Sequence, residues 1–288
     1  MIYSRIINLT FSIFCFLSFY TVQSETVDSV PSPQRIVSQT LASDEILLAI
    51  CPLARISAVS TLALNPQYSN VVKEAKQVGQ QVTANVEHIL TLNPDLILVA
   101  SYSRAETVQL LQATGAPVLR LTHFQHLEDI KQNIKIIGEA TGLEKEATAL
   151  ITQMQQKIAK IHSQLPKTAP SPRVVFYNQW YYTAGSLTTF DDMLHLIGAT
   201  NISAEHGIQG YTKLDPEQLV AWKPDFIVTE ANQGEFSKVR QRLLAHPAIG
   251  LSIAHESTRI IVMDTRYLGS VSHHITHALE ILADKLYP

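Results

Sequence analysis

The sequence predicts an α/β protein of two lobes, each with a mainly parallel sheet flanked by helices, and joined by one long α-helix. Three observations predict this fold class. One segment occurs twice, strand-like and helix-like segments alternate along most of the chain, and one long amphipathic pattern separates the two halves. A chain of 288 residues with a 46% hydrophobic fraction is large enough to form two cores.

The repeated segment comprises residues 85–99 and residues 215–229. In each copy an N-cap residue begins a short helix, a Pro-Asp pair ends it, and an apolar run of strand character follows. Glu87 in the first copy corresponds to Glu217, which lies 130 residues further along the chain. Because this offset is far longer than a solenoid repeat and about the size of a domain, it predicts two similar lobes.

The first lobe is expected over residues 35–142. Ser43 is predicted to cap its first helix, with Asp44 and Glu45 in the first turn. Because strands and helices alternate, the sheet should be parallel. The other predicted elements are the strands Arg35–Ser38, Ile56–Val59, Leu96–Val99 and Pro117–Leu121 and the helix Arg104–Thr114, which Gly115 closes.

The long amphipathic helix is predicted over residues 143–165. Apolar residues from Leu143 to Leu165 recur at steps of four and three. Thr141 and Glu144 have the spacing of a capping box at its start. Three prolines between residues 166 and 172 prevent the helix from continuing.

The second lobe is expected over residues 173–288, where strand and helix alternation resumes. Because the long helix is the only predicted covalent link between the lobes, we expect a stiff hinge rather than wide closure. Besides the second repeat copy, the predicted elements are the strands Arg173–Tyr177 and Arg259–Met263, the helices Phe190–Ile197 and Ser237–Ala245, and a terminal helix from about Ser272.

Residues 1–24 have the pattern of a secretory signal peptide. A single charge, Arg5, precedes the apolar stretch Ile6–Tyr20, and small residues suit a cut after Ser24. The apolar stretch is short for a bilayer span and no charged stop-transfer segment follows, which disfavours an uncleaved anchor. Cys15 lacks the context of a lipoprotein box. The sequence therefore predicts export without a lipid anchor and without membrane insertion of the mature protein.

Charge and cysteine content exclude several classes of partner and site. Removal of residues 1–24 takes away one base and changes the net charge from −3 to −4. This balance argues against binding to nucleic acid or to an anionic membrane. Cys51 is then the only cysteine, so neither an internal disulfide nor a Cys-cluster metal site is expected.

Polar and aromatic residues follow the predicted strands, where open α/β sheets bind ligands. The wider set of these residues comprises Thr40, Ser60, Tyr102, Arg104, Asn178, Trp180, Tyr181, Tyr182, Tyr211, Glu230 and Arg266. The predicted cleft has Trp180, Tyr182 and Tyr211 on one wall and Tyr102 and Arg104 on the other. We also assign ligand binding to Tyr181, because three consecutive rings cannot all enter one core, and to Arg266 as an anion clamp. A surface role for Arg266 is the alternative.

No common catalytic or metal-binding signature is present. The sequence lacks Gly-x-Ser-x-Gly, Gly-x-Gly-x-x-Gly, P-loop and His-Glu-x-x-His motifs. His273 and His277 would lie on one face of the last helix, with His274 beside them. Two imidazoles without an acid or cysteine nearby in sequence are too few for a zinc site, so we predict no metal site and a solvated helix face.

Glu87 and Glu217 have two interpretations. An acid in the first turn of a helix complements the helix dipole and stabilises the helix by about 0.3–1 kcal/mol. Alternatively, one protruding acid per lobe presents matching charges to a two-fold symmetric partner. Their equivalence in the repeat favours the second interpretation.

Several short motifs resemble, in their order along the chain, those of a known family. They are Arg35-Ile36-Val37-Ser38, the two Pro-Asp repeat segments, Tyr182-Thr183-Ala184-Gly185 and Gly198-Ala199-Thr200-Asn201. This set resembles the periplasmic substrate-binding proteins of ABC importers for cobalamin, ferric siderophores and haem. The resemblance covers nearly all of the mature chain and implies a ligand held between two lobes joined by one long helix.

This resemblance also implies the partners. In that family a glutamate at the position of Glu87, and another at that of Glu217, docks on arginines of the permease dimer. We therefore expect a monomeric binding protein, not an enzyme, with no resident cofactor and a small-molecule metal chelate as its ligand.

The ligand class follows from departures from the family pattern. Cobalamin binders have a tryptophan six residues before each docking glutamate, where this chain has Gln81 and Tyr211, and haem binders have a tyrosine where this chain has Gln80. A ferric siderophore is therefore the first candidate for the ligand, followed closely by cobalamin. The alternatives are a haem- or free-metal-binding protein, a chelatase-like enzyme using His123, His126 or the His273 cluster, and a periplasmic sensor that binds a protein.

Overall fold

Residues 31–168, 170–249 and 257–288 are described by the computed structural model. The predicted signal peptide, residues 1–24, lies outside these ranges. None of the helices within the described ranges is long and apolar enough to cross a membrane.

The N-terminal lobe contains a five-stranded parallel sheet. Its strands are β1 (Ile36–Ser38), β2 (Ile56–Ser60), β3 (Gln81–Val82), β4 (Leu96–Ala100) and β5 (Val118–Leu121). They lie in the order β3-β2-β1-β4-β5, and every pair is parallel. All five residues of β4 are buried, as expected for a strand covered by helices on both faces.

Five helices flank this sheet. They are α1 (Leu41–Ile50), α2 (Val72–Val78), α3 (Val86–Thr91), α4 (Ala105–Ala113) and α5 (Leu127–Thr141). Short 3₁₀ helices span Leu53–Arg55 and Thr61–Leu64. The predicted cap of α1 is wrong by three residues, because Thr40 is the N-cap and its hydroxyl accepts a hydrogen bond from the backbone N–H of Ser43.

The bridging helix α6 (Glu144–Gln164) follows α5 after a two-residue connection. The predicted capping box is wrong, because Thr141 ends α5 and its hydroxyl donates to the carbonyl of Ile137, 2.7 Å away. Leu143 is the N-cap of α6 and makes no side-chain cap. The two helices approach closely at Gly138, where a Cβ would lie 2.5 Å from the Cβ of Ala147.

Helix α5 is missing from the sequence prediction, although its apolar face has helical spacing. Its N-cap is His126, which is not a common cap residue. The Asp129 carboxylate supplies the start signal instead, because it accepts hydrogen bonds from the backbone N–H groups of Gln125 and His126.

The C-terminal lobe contains a four-stranded parallel sheet and a small antiparallel ribbon. Its strands are β6 (Arg173–Phe176), β7 (Tyr182–Ala184), β8 (Thr200–Asn201), β9 (Tyr211–Lys213), β10 (Phe226–Ala231) and β11 (Ile260–Asp264). The parallel sheet has the order β11-β10-β6-β8, and β7 pairs antiparallel with β9. The helices are α7 (Thr189–Leu196), α8 (Ile202–Glu205), α9 (Pro216–Ala221), α10 (Phe236–Leu244), α11 (Thr265–Leu268) and α12 (Ile275–Leu286), with a 3₁₀ turn at Ser257–Arg259.

The sequence repeat is also a structural repeat. Helix α3 leads into β4 as α9 leads into β10, and the residues before the two prolines, Asn93 and Lys223, both have left-handed backbones with φ of 47° and 52°. The carboxylate of Asp95 accepts a hydrogen bond from the backbone N–H of Arg35 at 2.6 Å, and that of Asp225 accepts one from Arg173 at 2.8 Å. Each Pro-Asp pair therefore fixes the start of the neighbouring strand.

One hydrophobic cluster extends through both lobes, from Ile36 of β1 to Leu286 of α12. Polar contacts also join the lobes. The side-chain amide of Asn70 donates to the carbonyl of Arg266 at 3.0 Å, and the backbone N–H of Leu127 donates to the carboxylate of Asp192 at 2.7 Å. The predicted fold class, two mainly parallel α/β lobes joined by one long helix, is confirmed.

Candidate functional site

A pocket of about 390 Å³ lies at the carboxyl ends of the strands of the N-terminal lobe. It is lined by residues 39–41 after β1, 60–62 at the end of β2, 82–84 at the end of β3 and 102–104 after β4, together with Thr107. Most of its polar groups are hydroxyls. Of the predicted ligand-binding residues, Tyr102 and Arg104 line it, and the Tyr102 ring packs against Phe124 with centroids 5.0 Å apart.

A second pocket, of about 250 Å³, lies at the carboxyl ends of β6 and β10 in the C-terminal lobe. Its lining comprises Phe176, Asn178, Tyr182, Phe190, Tyr211, Glu230, Leu268 and Gly269. The Phe176 ring lies 5.7 Å from the Phe190 ring and 6.3 Å from the Tyr211 ring. Four aromatic rings and one carboxyl group therefore form this pocket, which includes the predicted residues Tyr182 and Tyr211.

A tight turn between β6 and β7 separates the three consecutive rings. The Asn178 side-chain oxygen accepts hydrogen bonds from the backbone N–H groups of Trp180 and Tyr182, and Tyr181 between them has a left-handed backbone with φ of 66°. This turn directs Tyr182 into the pocket. The Tyr181 ring instead lies 6.1 Å from the ring of Tyr177, and Trp180 remains 57% exposed. Neither Trp180 nor Tyr181 lines either pocket.

Arg266 is engaged by a neighbouring carboxylate. Its Nε and one terminal nitrogen donate to the two oxygens of Asp264, at 3.0 and 2.7 Å. These bonds raise the pKa of the guanidinium above its usual value. Arg266 lines neither pocket. Its predicted role as an anion clamp stays a prediction, and it would require release from Asp264.

Two adjacent acids near the start of α1, Asp44 and Glu45, are buried. The Ser60 hydroxyl, which lines the N-terminal pocket, donates to the Asp44 carboxyl at 2.5 Å. The next residue, Glu45, accepts hydrogen bonds from the hydroxyls of Ser272 at 2.5 Å and Ser270 at 3.4 Å, and Ser270 follows a residue of the C-terminal pocket. The N-terminal pocket therefore borders the first turn of α1, and Glu45 of the same helix bonds to the residue that follows Gly269 of the C-terminal pocket.

Burial changes the protonation of these acids. It raises the pKa of Asp44 to about 7, against the opposing effect of hydrogen bonds from Ser38 and Ser60. Burial also raises the pKa of Glu45, opposed mainly by the hydrogen bond from Ser272. The sequence predicts only that both acids lie in a first helical turn, and no local pattern indicates that they are buried.

His273, His274 and His277, at the start of α12, form a cluster of imidazoles with lowered pKa values. The ring centroids of His273 and His274 are 4.0 Å apart, and those of His274 and His277 are 6.3 Å apart. Burial, reinforced by neighbouring imidazoles, lowers the pKa of His273 to about 4 and that of His274 to about 3. Within the described ranges, no group of three or more His, Cys, Asp or Glu side chains is placed to hold a metal ion.

Glu87 and Glu217 lie in the first turns of α3 and α9, and both side chains are exposed. No ion pair within the described part of the chain involves either carboxylate. Asn85 caps α3 by accepting from the backbone N–H of His88 at 3.0 Å, whereas Asp215 makes no such side-chain bond to α9. The two acids thus occupy equivalent and accessible positions, one on each lobe.

Comparison with known proteins places the chain in one family. The profile described as "Periplasmic binding protein" matches residues 36–267. The chain is 27% identical over 271 residues to the uncharacterized ABC transporter substrate-binding lipoprotein YvrC of Bacillus subtilis, covering 89% of this chain and 81% of the relative. It is 25% identical to a cobalamin-binding protein of Halobacterium salinarum, covering 73% of this chain and 58% of the relative.

Solved structures show the same fold. The periplasmic heme-binding protein RhuT from Roseiflexus sp. RS-1, in its apo form, superposes with a TM-score of 0.75 at 25% identity. The match covers 88% of this chain and 98% of that structure.

Proposed function

The chain belongs to the periplasmic binding protein family, and on this premise we propose that it captures a metal chelate between its lobes and delivers it to an ABC importer. The chelate is a ferric siderophore or a cobalamin-like corrinoid. The observation that carries this proposal is that each lobe has a pocket at the carboxyl ends of its strands, and that the adjacent acids Asp44 and Glu45 of α1 bond to Ser60 of the N-terminal pocket and to Ser270, next to Gly269 of the C-terminal pocket. A ring-bearing ligand held there would contact aromatic side chains of one lobe and hydroxyl groups of the other.

Binding without turnover is part of this proposal. The protein needs no resident cofactor, because the metal of the chelate is cargo. We place the mature protein in the periplasm as a monomer after removal of residues 1–24, in keeping with the predicted signal peptide and with the family.

The proposed partner is the permease dimer, which Glu87 and Glu217 contact. The two acids lie at the same turn of the same repeated unit in two lobes that share one core, so their separation is fixed. A two-fold symmetric permease offers the same basic contact twice. Charge-assisted hydrogen bonds from arginine to these carboxylates would orient the binding protein on the membrane-embedded partner.

Native mass spectrometry of protein purified from its own periplasm tests the cargo. We expect a copurified chelate whose mass and isotope pattern identify its metal. A protein that is free of small molecules after gentle purification from cells grown under iron and cobalamin limitation, and that binds no chelate added later, would overturn the proposed function.

Reversing the charges of Glu87 and Glu217 tests the proposed docking on the permease. Glu87→Arg combined with Glu217→Arg should abolish uptake and stimulation of transporter ATP hydrolysis, while ligand affinity stays near that of the wild type. The control is Glu144→Arg combined with Glu146→Arg, which reverses two exposed first-turn acids outside the repeat. If the first variant supports uptake at the wild-type rate, the two acids only stabilise the starts of their helices. If ligand affinity falls in parallel with uptake, the two acids contribute to the pocket or to folding, and the docking role is wrong.

A further inference from the structure

The charges of the two pockets are few and opposite. Arg104 is the only charged side chain among the residues that line the N-terminal pocket, and Glu230 is the only one in the lining of the C-terminal pocket. No ion pair or hydrogen bond among the described residues involves the side chain of Arg104. The site therefore has one available cation on one lobe and one carboxyl group on the other.

The protein supplies few hydrogen-bond donors to the carboxyl group of Glu230. It lies near the end of β10, opposite Met263 in the register with β11. Its one hydrogen bond among the described residues comes from the side-chain amide of Asn178 at 3.5 Å, the outer limit of such a bond. Burial raises its pKa, and only that weak bond opposes the effect. The cation near this wall is Lys213, whose Nζ lies 6.0 Å from the centroid of the Tyr182 ring rather than at the carboxyl group.

The surroundings of Glu230 determine which ligand groups are compatible with it. The Glu230 carboxylate shares its pocket with the rings of Phe176, Phe190 and Tyr211. Ligand N–H and O–H donors would stabilise it, because each donor replaces a hydrogen bond to water that is lost on burial. A ligand carboxylate placed there would meet a like charge without a compensating cation and would be disfavoured. Among the residues that line the two pockets, Arg104 on the other lobe is the only cationic partner for an anionic ligand group.

We infer that Glu230 is a specificity residue that admits chelates presenting amide or hydroxyl donors to the C-terminal lobe and rejects chelates presenting carboxylates there. Arg104 binds the one anionic group of the ligand and so sets its orientation in the cleft. This inference rests on the proposed function and narrows its ligand class. A corrinoid, with peripheral amides and a single phosphodiester, fits, whereas a ferric polycarboxylate such as ferric dicitrate and a haem with two propionates do not.

Calorimetric titration of the ligand-free mature protein with cyanocobalamin, ferric dicitrate and haemin tests the inference. For the wild type we expect cyanocobalamin to bind about 100-fold or more tightly than the other two. Glu230→Gln should reduce this preference by about tenfold or more, because the amide keeps the shape but removes the like charge and the strong acceptor. Arg104→Gln should weaken cyanocobalamin binding by about tenfold.

The matched control is Glu235→Gln, which changes the same charge at an exposed acid just beyond β10 and should leave all three affinities unchanged. Thermal unfolding of each variant shows whether a loss of binding reflects a change in the site or a failure to fold. The ligand preference of the wild type tests the inference without any variant. Absent cyanocobalamin binding, ferric dicitrate or haemin bound as tightly as cyanocobalamin, or an unchanged preference in folded Glu230→Gln would overturn it. A copurified polycarboxylate chelate would overturn this inference while leaving the proposed function intact.

Discussion

The buried carboxyl group of Asp44 should make the stability of the protein fall as pH rises. Its side chain is 0% exposed, and burial raises its pKa from 3.8 to about 7 in the folded state. Between these two values the folded protein holds a proton that the unfolded chain has lost. The stabilising contribution of Asp44 is therefore present in full below about pH 4 and is lost as pH rises through about 7.

The magnitude follows from the two pKa values of Asp44. Each unit of difference corresponds to about 1.4 kcal/mol between the protonation states. Between pH 5 and pH 8, integration of the proton uptake gives a loss of about 2–3 kcal/mol in the free energy of unfolding. This loss is a large fraction of the total stability of an ordinary domain.

The variant Asp44→Asn isolates this effect. Its side-chain oxygen can accept from the Ser60 hydroxyl, as the carboxyl group of Asp44 does, and its amide cannot ionise. Denaturant titrations followed by circular dichroism should find that the stability of the variant relative to the wild type increases between pH 5 and pH 8. The difference in the free energy of unfolding should be larger at pH 8 than at pH 5 by about 2–3 kcal/mol.

Other buried groups titrate in the opposite direction. The lowered pKa values of His273 and His274 give stability that is present above about pH 6.5 and is lost as pH falls toward 4 and 3. These histidines occur in both proteins, so their effect cancels in the difference. Asp284→Asn, at an exposed acid of α12, controls for net charge. If the stability difference between Asp44→Asn and wild type is the same at pH 5 and pH 8, Asp44 is not protonated in the folded state and the reasoning fails.

Three further predictions address the site and the helix pair. Tyr182→Ala should weaken ligand binding by about tenfold, and the sequence prediction for Trp180 requires the same of Trp180→Ala; an unchanged dissociation constant in either folded variant removes that residue from the site. Cys51 is 7% exposed and burial raises the pKa of its thiol, so native protein should react slowly with a thiol reagent, and labelling as fast as in denaturant would contradict this. Gly138→Ala should lower the free energy of unfolding by about 1–3 kcal/mol through its clash with residue 147, and adding Ala147→Gly should recover part of that loss; no recovery would exclude the clash as the cause.

The sequence by itself determined the fold class and the repeat, because both depend on local patterns. Apolar periodicity places the bridging helix within one residue of its observed ends. The Pro-Asp pairs mark the ends of α3 and α9, since proline and the preceding left-handed residue end each helix there. The two capping errors, at Ser43 and Thr141, arose because hydroxyl residues near a helix end can bond to several backbone groups.

Only the tertiary structure decided which of the predicted side chains meet. Tyr182 lines a pocket and Trp180 does not, because one Asn178 oxygen holds both backbone N–H groups and turns the chain between them. Glu45 reaches Ser272, which lies 227 residues away in the chain. Burial and hydrogen bonding at such a distance depend on how the lobes pack, and no local pattern indicates them. Asp44 and Glu45 therefore could not be distinguished from ordinary helix-start acids before the fold was known.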